Sequence, residues 1–287
     1  MTQHFIVIGN PIAHSKSPEI HEQFALQAGL DIRYQRQYCP DDAASFTAVI
    51  EAFFHGGGVG ANVTVPFKQV AYDCCAARGG LSEHAKTAGA VNTLMINEAL
   101  LQQGASIKEA IYGDNTDGQG LVNHIISLDW PLDGARVALI GAGGAARGVI
   151  LPLIQAGVGS LTIANRTVSK AVDLVDELNT ASSVIAAQRI QTCVTGDLSG
   201  DFDMIINATS IGLSGDTLPL DNNLHCQYAY DMMYGRDLPF LQHFAARDAE
   251  TSEGYGMLIG QAALSFERWT GHEIDVAKAT AALNQNA

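Results

Sequence analysis

Three sets of residues in this 287-residue sequence are of types and spacings that could do chemistry. The first is Gly141-Ala142-Gly143-Gly144-Ala145-Ala146, in which Gly141, Gly143 and Ala146 fit the turn G-x-G-x-x-G/A. It lies between a short apolar run, Val137 to Ile140, and a second run to Ile154 whose apolar spacing is helical. Glycines let a backbone approach a pyrophosphate closely, and the helix that follows aims unpaired N–H groups at it. A tight turn between any strand and helix can use such glycines, but with a strand before and a helix after, the arrangement points to a dinucleotide site. The second set is Asn165, Arg166 and Thr167, with Lys170 a few residues on, about twenty residues past the glycines. An NAD site carries an acid there to bind the ribose 2′-hydroxyl. A guanidinium at that place can instead hold a 2′-phosphate, which points to NADP.

The third set is dispersed. At the end of the segment VGANVTVPFK, Pro66 can open a helix, and Lys68 then falls in its first turn, where the helix dipole disfavours a cation. Helix propensity does not account for it, and a solvated lysine and a functional one fit the spacing equally well. Asp117, between Thr116 and Gly118, heads a helical run from Leu121 to Leu128, and a helix cap is its local reading. Ser17, before Pro18, also reads as a cap, whereas Ser15 has no such role. Gln261 is a single amide in an apolar helical run from Glu253 to Trp269, and a buried amide needs partners, of which a polar substrate could be one.

The elements that must position these residues alternate between strand and helix. His4–Gly9 reads as a strand, Ser17 to Gly29 as a helix, Asp31–Tyr38 as a strand and Asp41–Phe54 as a helix. A strand then ends before Pro66, and a turn and strand follow at Ala88–Met95. The connection Asn97–Gly113 carries a weaker strand at Ile107–Tyr112, and Leu128–Gly134 reads as a linker. Beyond the glycine loop come a strand at Ser160–Asn165, a helix at Val168–Leu178, and a strand Asp203–Asn207 that enters the loop Ala208–Gly212. Another strand, Tyr228–Asp231, leads to Met232, Met233 and Tyr234, and Pro239–Ala246 is helical. The pattern is α/β, and the length suits two domains.

Composition narrows the function classes. Sixteen basic against thirty acidic residues give a net charge of −14, with no Lys/Arg cluster, which argues against a nucleic-acid surface. No apolar run is long enough to span a bilayer and the start is not basic, so neither a membrane partner nor a targeting segment is expected, and the expected location is cytoplasmic. The five cysteines form no C-x-x-C and read as small buried hydrophobes. Nine histidines without an H-E-x-x-H helix lead us to expect no catalytic metal.

Eight segments together resemble the shikimate dehydrogenase family, in the family's order and over nearly the whole chain. They are NPIAHSKSP (10–18), NVTVPFK (62–68), AGAVNTL (88–94), GDNTDGQG (113–120), GAGGAAR (141–147), NRT (165–167), NATSIG (207–212) and GMLIGQAA (256–263). The resemblance implies a substrate domain at 1–117 plus 252–287, built on a mixed sheet, and an NADP-binding Rossmann domain at 118–251. The C-terminal helices return to the first domain, and the site lies in the cleft between the two. Carried over by position, Lys68 and Asp117 are the catalytic pair. Ser15 and Ser17 would hold a carboxylate. Thr64, Asn92, Asp117 and Gln261 would bind hydroxyls, and Tyr234 would line the substrate side. Gly141, Ala142, Gly143, Gly144, Ala145, Asn165, Arg166, Thr167, Lys170, Thr209, Met232 and Gly254 would touch NADP.

The implied reaction is NADPH-dependent reduction of 3-dehydroshikimate to shikimate in aromatic amino-acid biosynthesis. A quinate/shikimate dehydrogenase of broader range is the alternative. Such relatives typically carry an acid near the strand tip, where this chain has Asn165-Arg166-Thr167. A non-catalytic metabolite sensor would be expected to lack part of the catalytic pair or the glycine loop, which are present here. The sequence leaves a homodimer open. Lys170 stands where family members often have arginine, and Glu253 and Tyr255 replace the commoner Asp and Leu beside Gly254.

Overall fold

The computed structural model describes residues 1–77, 80–211 and 217–285. The chain divides into two compact units, residues 1–117 with 259–287, and residues 118–258.

The first unit begins with β1 (Gln3–Gly9), α1 (Ser17–Ala28), β2 (Ile32–Tyr38) and α2 (Ala43–His55), and continues with β3 (Gly60–Val63), α3 (Lys68–Ala76), α4 (Glu83–Ala88) and β4 (Thr93–Ile96). Then come α5 (Glu98–Gln102), α6 (Ile107–Ala110) and β5 (Ile111–Asp114). The strands form one sheet in the order β2-β1-β3-β4-β5. β1 pairs parallel with β2 and β3, while the β3–β4 and β4–β5 pairs are antiparallel, so the sheet is mixed. Alternation along β1 sends Ile6 and Ile8 into one core and Phe5 and Val7 into another, which is how a sheet covered on both faces reads.

Two expectations change here. The stretch from Ile107 is not wholly strand. Ser106 and Glu109 form a capping box that turns residues 107–110 into a helical turn, and the strand begins only at Ile111. Pro66 precedes α3 instead of opening it, and Lys68 is the helix's first residue.

The second unit carries α7 (Asp117–Ser127, its first residue belonging to the other unit), β6 (Arg136–Ile140), α8 (Gly144–Gln155), β7 (Ser160–Asn165) and α9 (Val168–Ala181). It continues with α10 (Ser183–Ala186), β8 (Ile190–Val194), β9 (Gly200–Asn207), β10 (Leu224–Asp231), α11 (Pro239–Ala245) and β11 (Glu250–Glu253). Among the described residues all its strand pairs are parallel, in the order β11-β10-β9-β6-β7-β8. Counted from β6, that is the Rossmann order, with its switch between β6 and β9. Val137 and Leu139 face one core and Ala138 and Ile140 the other.

Glu253 was expected to open a long helix. Instead it ends β11, which pairs with β10, and α12 (Tyr255–Thr270) starts after Gly254. That pairing keeps residue 252 with the second unit, so the return to the first unit falls at Ile259, inside α12. α13 (Val276–Gln285) closes the chain and packs on α1.

In the first unit an aromatic cluster encloses His21. Its ring stacks on Tyr34, centroids 4.3 Å apart and 11° from parallel, with Phe24, Phe266 and Trp269 around it. Neither ring nitrogen makes a well-formed hydrogen bond, although the nearby Asn62 side chain partly opposes the effect of burial. Burial pulls its pKa down from 6.5 to about 3. The unfolded chain takes up this proton near pH 6.5 and the folded chain only near 3. Between these values the unfolded state therefore binds more protons, and stability falls as pH falls. His21→Phe, which keeps the stack, is expected to flatten that slope. Urea midpoints at neutral pH and at about pH 4.5 should drop further for the wild type than for the variant. Equal drops would mean that His21 is protonated in the folded state.

Candidate active site

In the first unit, the sequence brings the ends of several elements to one polar cluster. Lys68, at the start of α3, donates from Nζ to Asp117 Oδ2 at 2.5 Å. Both side chains are partly open to solvent, at 32% and 25% exposure. The other carboxylate oxygen of Asp117, Oδ1, accepts from Asn92 Nδ2 at 2.8 Å. The same amide group reaches Thr116 Oγ1 at 2.9 Å and Gln261 Oε1 at 3.2 Å. Asp117 therefore spends its carboxylate on Lys68 and Asn92, and the local reading of a helix cap does not describe it.

The turn that presents Asp117 is tied down residue by residue. Buried Asp114 accepts from the Asn115 N–H at 2.7 Å and from the Ser82 hydroxyl, and its other oxygen pairs with Arg268 of α12. Asn115 accepts from the Asp117 N–H at 3.1 Å, and the Thr116 N–H donates to Asn92 Oδ1 at 3.0 Å. Behind these lies a buried layer that the sequence reading did not single out. Tyr34 donates to Asn62 Oδ1 at 2.7 Å, Asn62 Nδ2 donates to Ser265 Oγ at 3.1 Å, and Ser265 and Thr93 hydroxyls are 2.7 Å apart. Ser265 sits one helical turn after Gln261, and that i, i+4 spacing was the available signal.

The serines behave differently from expectation. The N-cap of α1 is Lys16, and α1 has no side-chain cap. Ser15 Oγ accepts from the Ser17 N–H at 3.3 Å and donates to Ser17 Oγ at 3.2 Å. It is thus Ser15 that makes the local backbone bond, because Pro18 already fills the helix's first turn. Thr64 stands half-buried just after β3, its N–H donating to Ile8 O at 3.0 Å, and its hydroxyl is not tied into the cluster.

In the second unit, the carboxyl ends of β6, β7, β9 and β10 carry the other expected residues. Gly141 follows β6 with φ +119°, a conformation that side-chain-bearing residues rarely adopt. A Cβ there would lie 3.1 Å from Thr209 Cγ2. Gly143 is the N-cap of α8, followed by Gly144, Ala145 and Ala146. The helix start has neither a side-chain cap nor an acid in its first turn. Its first N–H groups are left for an anion, and a Cβ at Gly143 or Gly144 would meet nothing within 4 Å. Ala142 packs at the edge of the core.

At the tip of β7, Asn165 Nδ2 bonds Thr167 O at 2.8 Å, while Arg166 and Lys170 are exposed. Among the described residues neither cation is paired with a carboxylate. Asn207 ends β9 and holds Thr209 through its N–H at 3.0 Å and its hydroxyl at 2.7 Å. Its amide donates to buried Asp231 at 2.9 Å, and Asp231 in turn accepts from Met233 N. Burial raises the pKa of Asp231. Neither Asn207 nor Asp231 was expected, yet they order the loops bearing Thr209 and Met232. A Cβ at Gly254 would meet the Met232 carbonyl, so that residue must be small. Tyr234 is 38% exposed and lies against Tyr255, ring centroids 5.8 Å apart. Of the loop 208–212, residue 212 lies outside the described residues.

Such a set can bind a dinucleotide phosphate on α8, offer two cations to a further phosphate, and present an ammonium–carboxylate pair to an oxygen that changes its protonation. Comparison with known proteins agrees in kind. The profile for the shikimate dehydrogenase substrate binding domain matches residues 7–94, that for shikimate / quinate 5-dehydrogenase residues 121–213, and that for the shikimate 5′-dehydrogenase C-terminal domain residues 254–283. The shikimate dehydrogenase (NADP(+)) of Psychrobacter arcticus is 79% identical over the whole length of both chains. The crystal structure of an Ael1 enzyme from Pseudomonas putida superposes with a TM-score of 0.85 at 36% identity, covering 99% of this chain and 97% of that one. Shikimate 5-dehydrogenase from Thermus thermophilus, solved with NADP(H) and shikimate, gives 0.78 at 26% identity over 99% and 100%.

Proposed function

This chain belongs to the shikimate dehydrogenase family, and from that premise we infer how its residues carry out the family's reaction. It is an NADP-dependent oxidoreductase acting on a CH–OH group, reducing 3-dehydroshikimate to shikimate with NADPH. The observation that carries the residue assignment is the Lys68–Asp117–Asn92 cluster, in which the lysine and both carboxylate oxygens have defined partners.

The first unit holds the substrate. Ser15 and Ser17 take its carboxylate, and Thr64, Asn92, Asp117 and Gln261 take its hydroxyls. The α8 N-terminus from Gly141 to Ala145 holds the pyrophosphate of NADP, and Asn165, Arg166, Thr167 and Lys170 hold the 2′-phosphate. Thr209, Met232 and Gly254 contact the remainder of the cofactor, and Tyr234 lines the substrate side. NADPH, when bound, supplies the hydride. Lys68, as the ammonium, hydrogen-bonds the ketone oxygen, stabilises negative charge as it develops there and gives up the proton that completes the alcohol. In the reverse direction the same nitrogen accepts the hydroxyl proton. Asp117 orients Lys68 and accepts a bond from a neighbouring substrate hydroxyl, while Asn92 keeps the carboxylate in place.

In keeping with a net charge of −14 and small-molecule substrates, we assign the enzyme to the cytoplasm, with no nucleic-acid or membrane partner. Steady-state kinetics with shikimate and quinate, each with NADP and NAD, test the reading. Shikimate with NADP is expected to dominate. Quinate turnover matching that of shikimate would favour the broader enzyme, and absence of any NADPH oxidation with 3-dehydroshikimate would remove the assignment.

A further inference from the structure

Arg36 lies on the edge strand β2, two residues after Tyr34, so both side chains leave the same face of the strand. Tyr34 reaches inward to Asn62. Arg36 reaches the loop before α1, where its Nε and Nη2 both donate to the Ser15 carbonyl, at 2.9 and 2.6 Å. Nη2 also donates to Glu19 Oε1 at 2.6 Å. The Arg36–Glu19 pair alone would be an ordinary surface ion pair of little energetic weight. The pair of hydrogen bonds to one carbonyl is different, because two donors of one rigid, planar guanidinium converge on the peptide that joins Ser15 to Lys16. The Ser15 N–H is at the same time fixed to Ile12 O at 3.1 Å. The backbone on either side of Ser15 is thereby held, and with it the two hydroxyls that stand 3.2 Å apart.

We propose that Arg36 is the positioning residue of the carboxylate subsite, clamping the Ser15 carbonyl so that the Ser15 and Ser17 hydroxyls are presented together to an anionic substrate group. This rests on the reading that these serines receive the substrate carboxylate. Nothing else in the sequence marks the residue: Arg36 belongs to none of the motif segments, and only the strand's alternation places it beside the serine loop.

The test compares Arg36→Met, Arg36→Lys and the wild type in oxidation of shikimate and of its methyl ester, whose charge is removed while its ring hydroxyls remain. For Arg36→Met, KM for shikimate is expected to rise about tenfold, the loss of one well-made bond to a charged group. kcat and the KM for NADP should stay within about threefold, and the ester should suffer less than about threefold. Arg36→Lys, which keeps one donor but no fork, should fall between. An unchanged KM for shikimate, or equal losses on acid and ester, would overturn the proposal. If Arg36→Met does not fold, Arg36→Lys and Arg36→Gln give the same acid-to-ester comparison. Failure of the wild type to oxidise shikimate at all would instead overturn the functional reading, so the two failures are distinguishable.

Discussion

Lys68→Ala is expected to lower kcat for 3-dehydroshikimate reduction by roughly 10²- to 10⁴-fold, the usual weight of a positioned proton donor, with KM for the substrate changed only a few-fold. The structure separates this loss from a folding defect. The Lys68–Asp117 pair is partly solvent-exposed on both sides, so its removal leaves no buried, unpaired charge. Asp117 also keeps its bonds from Asn92 and its own N–H bond to Asn115, so the carboxylate stays in place when the lysine is gone. The thermal midpoint should therefore move little while turnover collapses. A small primary amine added to the variant should restore part of the rate if the missing group is an ammonium that donates a proton. Near wild-type kcat with unchanged KM would show that Lys68 is a solvated side chain at the head of a helix. A large fall in the midpoint with no change in kcat of the folded fraction would show that it is structural.

What could be read in the sequence follows the range of the interactions concerned. The glycine loop was legible because its requirements are local: a residue at positive φ, a bare helix start and a preceding apolar strand all lie within a few residues. The place of Arg166 at the end of β7 was legible because its distance from that loop is set by one βαβ unit. The layer of Asn62, Thr93, Thr116 and Ser265 was not, because its bonds join residues as far as 203 positions apart and no single segment needs them. Asp117 shows the limit in the other direction. Its local pattern suits a helix cap; the resemblance pairs it with Lys68, and the folded chain shows its oxygens bonded to Lys68 and Asn92. Ile107–Ala110 was legible but misread. The Ser106-x-x-Glu109 capping box is the local signal for the helical turn, set against the β-branched Ile107 and Ile111, which favour strand. Residues 250–253 could be strand or helix by composition. The free edge of β10 decided it, since Glu250–Glu253 pairs there along its whole length.

Cofactor choice gives the second large effect. Arg166 and Lys170 stand exposed at the end of β7 and, among the described residues, lack acidic partners, on a chain of net charge −14. On so acidic a chain, two exposed cations without acidic partners among the described residues fit the proposed role of binding a 2′-phosphate. Arg166→Ala removes the fork and leaves Lys170 as a point charge, so KM for NADPH should rise about tenfold to a hundredfold, the weight of charge-assisted bonds to a phosphate. KM for NADH, which has no 2′-phosphate, should barely move, and kcat with either should hold, because Arg166 is assigned no part in hydride or proton transfer. Lys170→Ala should show a weaker form of the same pattern, and added salt should shrink both effects by screening an exposed site. The measurement is a comparison of kcat and KM with NADPH and NADH at two ionic strengths. Equal losses with both nucleotides would mean that Arg166 shapes the adenosine pocket without reading the phosphate, and an unchanged NADPH KM would return it to the solvated surface.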